Sequence, residues 1–96
     1  MKAVIIMGST SDQSHADKIT SVLDGLGVGH EVHAASAHKN PERVLEIIRS
    51  FKKEDAVVFV TIAGRSNALS GFVAANSEKP TLGCPPFADK VDMSIN

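Results

Sequence analysis

The chain has 96 residues, of which 43% are hydrophobic and 22% are charged, and its formal net charge is −1. This balance predicts one globular domain and excludes the composition typical of disordered chains. A net charge near zero gives no general attraction to nucleic acid or to an anionic membrane surface. With four Phe and neither Trp nor Tyr, a stacking surface for single-stranded nucleic acid is not expected either.

The sequence carries no sign of a membrane or export signal. Its apolar runs fall short of the roughly 20 residues that a membrane-spanning helix needs, and the first of them reaches Gly8 too early for a signal peptide. The single cysteine, Cys84, excludes a disulfide within the chain, which fits a reducing compartment. We therefore expect a cytoplasmic protein.

The first half of the chain alternates strand and helix patterns. Residues 3–7 are a continuous apolar run, typical of a strand buried on both faces. Residues 14–26 change to helical spacing, and Gly27 is positioned as a C-terminal cap. Residues 30–35 are a weaker, alternating strand. The apolar positions that recur at helical spacing in this first helix are Ala16, Ile19, Val22, Leu23 and Leu26.

The second half continues the alternation. Pro41 suits the first turn of a second helix. Residues 56–62 form the clearest strand, because they are rich in β-branched side chains. A third helix is expected over about residues 66–75. Residues 81–84 form a short fourth strand that two prolines stop. The expected buried face of the second helix is Val44, Leu45, Ile47, Ile48 and Phe51.

This order of elements predicts an α/β protein with a doubly wound parallel sheet, in one domain over residues 1–96. Such a sheet needs helices on both faces, and three helices over four strands leave part of one face bare. A domain of this size buries only about 60 to 65% of its unfolded surface, so a bare face is costly. We expect that another chain covers this face or that the domain is longer than the sequence.

Polar turns follow the first three strands, and parallel strands bring such turns to one edge of the sheet, where α/β proteins bind ligands. In the first turn, residues 8–12, free backbone amides at a helix start and three hydroxyls favour a phosphate, and Asp12 is suited to accept from ribose hydroxyls. The alternative is that Ser11 or Asp12 only caps the helix.

The second turn contains His38, whose imidazole is suited to move a proton near neutral pH. Lys39 beside it is suited to bind a phosphate. A solvated surface histidine is the alternative. His15, His30 and His33 lack this setting and are interpreted as helix-surface or strand positions, and without metal-ligand spacing a zinc site is not expected.

The third turn, residues 64–67, joins a glycine and an arginine to Ser66 and Asn67, two hydrogen-bonding side chains suited to a polar headgroup. The alternative is a helix cap at Ser66 beside a solvated Arg65. Cys84 is interpreted as a buried packing residue, because the sequence places no base beside it. The two prolines after it are interpreted as a rigid wall of the same pocket.

Taken in order, the segments MGSTSD, SAHKNPE, AGRSNALSG and CPP resemble the PurE family of purine biosynthesis, over about residues 3–87. The resemblance implies a flavodoxin-like, three-layer fold and the carboxylation of 5-aminoimidazole ribonucleotide with CO2, without a cofactor or metal. Family members continue past CPP through a further strand and helices and form octamers, so this chain is expected to be a truncated member and a homo-oligomer.

The resemblance also implies roles for residues. His38 matches the catalytic acid/base. The positions that match the substrate-binding residues are Ser9, Asp12, Ser36, Lys39, Gly64, Ser66 and Asn67.

The AGRSN turn resembles the class II carboxylases. Class I mutases, which rearrange the N5-carboxyamino isomer, carry AGGAAH there and an arginine where this chain has Lys39. The mutase reaction remains the alternative enzyme, and a flavodoxin-like nucleotide- or phosphate-binding fragment without catalysis is the alternative of another class.

Overall fold

The computed structural model describes residues 1–63 and 68–84. The predicted alternation of strands and helices is confirmed within these ranges. The elements in chain order are β1 (Lys2–Met7), a single 3-10 turn (Thr10–Asp12), α1 (Gln13–Gly25), β2 (Gly29–Ala34), α2 (Pro41–Ser50), β3 (Val57–Ile62), α3 (Ala68–Asn76) and β4 (Thr81–Gly83). None of these helices is long and apolar enough to cross a membrane.

The four strands form one parallel sheet in the order β2-β1-β3-β4. This is the flavodoxin-like order. β2 is added on one side of β1, and β3 and β4 are added on the other side, so the order of strands reverses between β1 and β3. Central β1 aligns its last residue, Met7, with Ala34 of β2 and with Ile62 of β3. The three strands therefore end at the same edge of the sheet.

The hydrophobic core lies on both faces of the sheet, as the continuous apolar run of β1 predicts. On one face, Val4, Ile6 and Phe59 pack with buried residues of α2 and α3. On the other face, Ile5 and Val60 belong to a second cluster with residues of α1. Two helices therefore cover the first face, and α1 alone covers the second among the described residues.

Two of the apolar positions that give α1 its helical spacing are exposed. Val22 is 63% exposed and Leu26 71% exposed, whereas Ala16 is buried. Ile19 and Leu23 are partly buried against the sheet. Helical spacing identified the apolar side of α1, but spacing alone does not tell which of its residues contact the sheet.

Among the described residues, the sheet face that α1 covers is exposed to solvent at β4, in the direction that the sequence predicts. Leu82 pairs with Val60 in the parallel ladder, so both side chains point to the face that α1 covers. Val60 is 7% exposed and Leu82 is 57% exposed. Within the described residues, α1 shields the centre of this face and leaves its β4 side open to solvent.

A polar cluster covers the start of β1 and the outer strand β2. The Lys2 ammonium lies 2.9 Å from Glu31 Oε2 and 5.4 Å from the centre of the Phe51 ring. On the other side of Glu31, His33 Nε2 lies 3.3 Å from Oε1. The hydrogen bond from Lys2 lowers the pKa of Glu31, and the same contact raises the pKa of Lys2. Charged side chains on an edge strand also oppose pairing with other chains.

Replacing the carboxylate of this cluster should make stability less dependent on pH. A carboxylate with a lowered pKa stabilises the fold above its ordinary value of 4.5 and loses that contribution as the pH falls through its folded pKa. We expect Glu31→Gln to be less stable than wild type at about pH 7 and equally stable at about pH 3 in urea unfolding.

Glu78→Gln is the control, because Glu78 is exposed and forms no ion pair within the part of the chain that the structure describes. The same loss of stability in both variants at neutral pH would contradict a specific role for the Lys2–Glu31 contact.

Ala56 is the one non-glycine residue in the described ranges with a positive φ, 54°. It is exposed, and its carbonyl accepts a 2.9 Å hydrogen bond from the Lys2 amide, so the conformation is fixed by the start of the sheet. For a residue with a Cβ, this left-handed conformation costs about 1–2 kcal/mol.

Ala56→Gly should therefore stabilise the protein, by about 0.5–1 kcal/mol in urea unfolding, because glycine adopts positive φ without the steric cost. Ala74→Gly, an exposed position within α3, is the matched control and should destabilise by about 0.5–1 kcal/mol. A loss of stability in both variants would show that Ala56 is not strained.

Candidate active site

Backbone hydrogen bonds hold the ends of the strands together at one edge of the sheet. The Gly8 amide donates to Ile62 O at 2.8 Å, and the Ala35 amide donates to Met7 O at 2.9 Å. The Cys84 amide continues the pattern by donating to Thr61 O at 2.8 Å. The turns after β1 and β2 are thereby brought side by side, and the turn after β3 starts at the same edge.

Two helices begin at this edge because each helix runs back antiparallel to the strand before it. α1 follows the turn after β1, and α2 follows the turn after β2, with Pro41 in its first turn. Helix N-termini carry free amides and a partial positive charge of about +0.5 each, which favours an anion between them.

The first turn is organised by Ser9. Its Oγ accepts a 3.2 Å hydrogen bond from the Ser11 amide and lies 2.8 Å from Ser11 Oγ. Asp12 is at the N-cap position of α1, but its side chain makes no capping hydrogen bond. The alternative in which Asp12 acts as a helix cap is therefore not observed, and its half-buried carboxylate is not used by the helix.

The second turn is organised by Ser36. Its Oγ accepts hydrogen bonds from the amides of His38 and Lys39, both at 3.2 Å, and its carbonyl accepts from the Asn40 amide at 2.8 Å. The side chains of His38 and Lys39 are exposed. Ser36 therefore shapes the turn by accepting from two of its amides, and its hydroxyl group keeps the chemical capacity to donate.

The predicted site residues divide into two groups. The structure brings Ser9, Asp12, Ser36, His38 and Lys39 to the same edge of the sheet. Gly64, Ser66 and Asn67 lie outside the described residues.

A residue that sequence reasoning missed also reaches this edge. His15, interpreted as a helix-surface position, is half-buried, and its Nε2 lies 3.0 Å from the carbonyl oxygen of Cys84. Cys84 is partly buried against the core cluster on the α1 face. The signal in the sequence was that His15 follows Asp12 by three residues, which places it in the first turn of α1. Its partner lies too far along the chain to be identified from spacing.

The other histidines are in different settings. His30 Nε2 lies 2.8 Å from Asp24 Oδ1 at the opposite end of the molecule, and His33 belongs to the Lys2 cluster. Within residues 1–63 and 68–84, no three metal-binding side chains lie close enough to hold an ion.

The described residues form two clefts, and one of them lies at the His38 turn. One of about 490 Å³ is lined by the segment from Lys39 to Arg43 and by Glu46, next to the His38 turn. Another of about 530 Å³ lies between the C-terminal ends of α2 and α3, with Ile48 and Lys79 in its lining. This second cleft is at the opposite edge of the sheet, so it is remote from the imidazole.

Removing the Ser36 hydroxyl should loosen the His38 turn. We expect Ser36→Ala to speed hydrogen exchange of the His38 and Lys39 amides by about fivefold to tenfold, because each loses a hydrogen bond of modest net strength. NMR of the backbone amides measures this directly.

Ser36→Thr retains the oxygen and should exchange like wild type. Ser21→Ala removes an exposed serine on α1 and should leave both amides unchanged. Unchanged exchange in Ser36→Ala would mean that the turn does not depend on this side chain.

Comparison with known proteins identifies relatives over nearly the whole chain. A family model described as AIR carboxylase matches residues 2–95. The chain is 61% identical over 90 residues to a phosphoribosylaminoimidazole carboxylase of Archaeoglobus fulgidus, covering 94% of this chain and 49% of that protein. It is 44% identical over 81 residues to an N5-carboxyaminoimidazole ribonucleotide mutase of Methanocaldococcus jannaschii, covering 84% of this chain and 50% of that protein.

A solved structure shows the same fold. The crystal structure of Treponema denticola PurE superposes with a TM-score of 0.90 at 40% identity, covering 98% of this chain and 60% of that chain. The chain thus spans about half the length of the two curated relatives.

Proposed function

Because the chain belongs to the AIR carboxylase family, we propose that it serves purine biosynthesis by carboxylating 5-aminoimidazole ribonucleotide with CO2, reversibly. The observation that carries this proposal is the exposed imidazole of His38, set at a sheet edge where two helices begin. An anionic substrate and a proton-transfer group can meet there.

The proposed chemistry needs one acid/base and no cofactor. Carbon 4 of the aminoimidazole ring is enamine-like, so it attacks the carbon of CO2 and forms the new C–C bond. The ring hydrogen on carbon 4 then passes as a proton to the His38 imidazole, which restores the aromatic ring. In the reverse direction His38 returns the proton to carbon 4 and the C–C bond breaks, releasing CO2.

The substrate contacts follow from the electrostatics of the edge. We assign the phosphate to the N-terminal ends of α1 and α2, with Ser9, Ser36 and Lys39 as hydrogen-bond donors. Asp12, which does not cap its helix, accepts from the ribose hydroxyls. The imidazole and carboxylate side is assigned to the turn after β3, through Gly64, Ser66 and Asn67.

The mutase reaction is a second candidate, because one relative bears that name. The carboxylase is favoured by the AGRSN segment and by Lys39, which match the class II pattern, and by the higher identity to the Archaeoglobus fulgidus carboxylase. The two reactions are distinguished by comparing the rate of product formation when the purified protein receives the N5-carboxylated isomer with the rate when it receives 5-aminoimidazole ribonucleotide and CO2. Faster product formation from the isomer would identify a mutase.

We also propose that the chain works as a homo-oligomer. Among the described residues, Leu82 is exposed on the sheet face that α1 covers only in part, and an exposed apolar side chain there supports association. The mass of the protein in solution tests this directly, and a monomer at assay concentration would contradict it.

His38→Asn should lower the rate of decarboxylation of 4-carboxy-5-aminoimidazole ribonucleotide by about 100-fold or more, because general acid/base catalysis contributes roughly that much. Ribonucleotide binding, measured by calorimetry, should change little. Loss of substrate absorbance gives the rate.

His30→Asn is the matched control, since His30 bonds to Asp24 away from this edge, and it should retain activity. Full activity in His38→Asn would refute the acid/base role. Tight ribonucleotide binding by wild type, with no turnover and no proton exchange at carbon 4, would instead support a binding module.

A further inference from the structure

The hydrogen bond between His15 and Cys84 joins two parts of the chain that the sheet itself does not join. His15 lies in the first turn of α1, directly after the turn that follows β1. Cys84 follows β4, the strand at the far side of β3. Because the strand order is β2-β1-β3-β4, a link from α1 to the end of β4 passes over the end of β3 on the α1 face.

Cys84 is held at both of its backbone groups. Its amide donates to Thr61 O of β3 at 2.8 Å, and its carbonyl lies 3.0 Å from His15 Nε2. A carbonyl can only accept, so His15 carries its proton on Nε2 and donates it. The side chain of Cys84 is partly buried against the same core cluster as Met7 and Ile62. The end of β4 is therefore fixed to both β3 and α1.

This position has a consequence for ligand binding. In open parallel sheets the ligand lies outside the carboxyl ends of the strands at the point where the strand order reverses. In this fold that point lies between β1 and β3. By this rule the ligand crevice has the turn after β1 on one side and the ends of β3 and β4 on the other, and the His15–Cys84 hydrogen bond links its two sides.

We propose that His15 is a positioning residue that fixes the width of this crevice, and that it thereby holds the ribonucleotide in register with His38. This inference rests on the proposed function. His15 does not itself exchange the proton at carbon 4. It acts through the backbone of Cys84, and its loss widens the crevice and weakens binding of the ribonucleotide.

The variants separate the hydrogen bond from the size of the ring. His15→Phe keeps a planar ring and removes the donor, whereas His15→Gln keeps an N–H donor. We expect His15→Phe to raise KM for 4-carboxy-5-aminoimidazole ribonucleotide by about fivefold to tenfold, the effect of one lost hydrogen bond, with kcat within about twofold of wild type. His15→Gln should restore most of the affinity.

His30→Phe is the matched control. It removes a histidine hydrogen bond of similar length, to Asp24 Oδ1 at 2.8 Å, at a site remote from the crevice, and it should leave KM unchanged. The pH dependence of kcat should be the same in wild type and His15→Phe, because the proton is moved by His38.

Several results would overturn the proposal. A lower melting temperature in His15→Phe with unchanged KM would show that the hydrogen bond is structural only. A reduced kcat with an altered pH profile would make His15 part of the proton transfer instead. An equal rise of KM in His15→Phe and His30→Phe would show that His15 has no special role at the crevice.

The proposed function fails in a different way. A wild-type protein that neither turns over the ribonucleotide nor binds it in calorimetry would refute the proposed function and the positioning role together. If the wild-type protein turns over the ribonucleotide and the His15 variants have the same KM and kcat as wild type, only the positioning role is refuted.

Discussion

The common register of three parallel strands is the constraint on which the rest of the structure depends. Met7 pairs with both Ala34 and Ile62, and the amides of Gly8 and Ala35 close the ladder at the strand ends. A shift of one residue in β1 would exchange its two buried faces. Because Val4 and Ile5 belong to different core clusters, the packing of all three helices fixes where the strands end, and hence where the polar turns meet.

The candidate site combines two kinds of stabilisation that act at different distances. The ends of α1 and α2 supply a fixed positive potential that requires no charged side chain. Ser9 and Ser36 act locally by accepting amide hydrogen bonds within their own turns. The first effect favours an anion at this edge of the sheet, and the second holds the backbone of the two turns in place. The exposed His38 ring is left available for chemistry, since the backbone of its turn is already held by Ser36.

The sequence predicted the strands, the helices and the parallel topology because continuous apolar runs and helical spacing are local signals, and β1 and β3 follow them closely. It predicted the edge carrying Ser9, Ser36 and His38 for the same reason, since parallel strands place their following turns together. Two features required information that no local pattern contains. The exposure of Val22 and Leu26 depends on how α1 is placed on the sheet, which spacing does not determine. The hydrogen bond of His15 depends on where Cys84, at the end of β4, lies in the fold.

The central place of β1 also determines the order in which the domain can fold during synthesis. β1 and β2 leave the ribosome together with α1 and can pair as one unit, but the other edge of β1 remains open until β3, which ends at Ile62, has followed. Phe59 and Ile62 are fully buried, so neither core cluster is complete before that point. The turn after β1 is therefore synthesised early, while the strand that lies across the crevice from it arrives late. A slow step in pairing β3 would leave the open edge of β1 and the apolar strand β3 exposed to other chains.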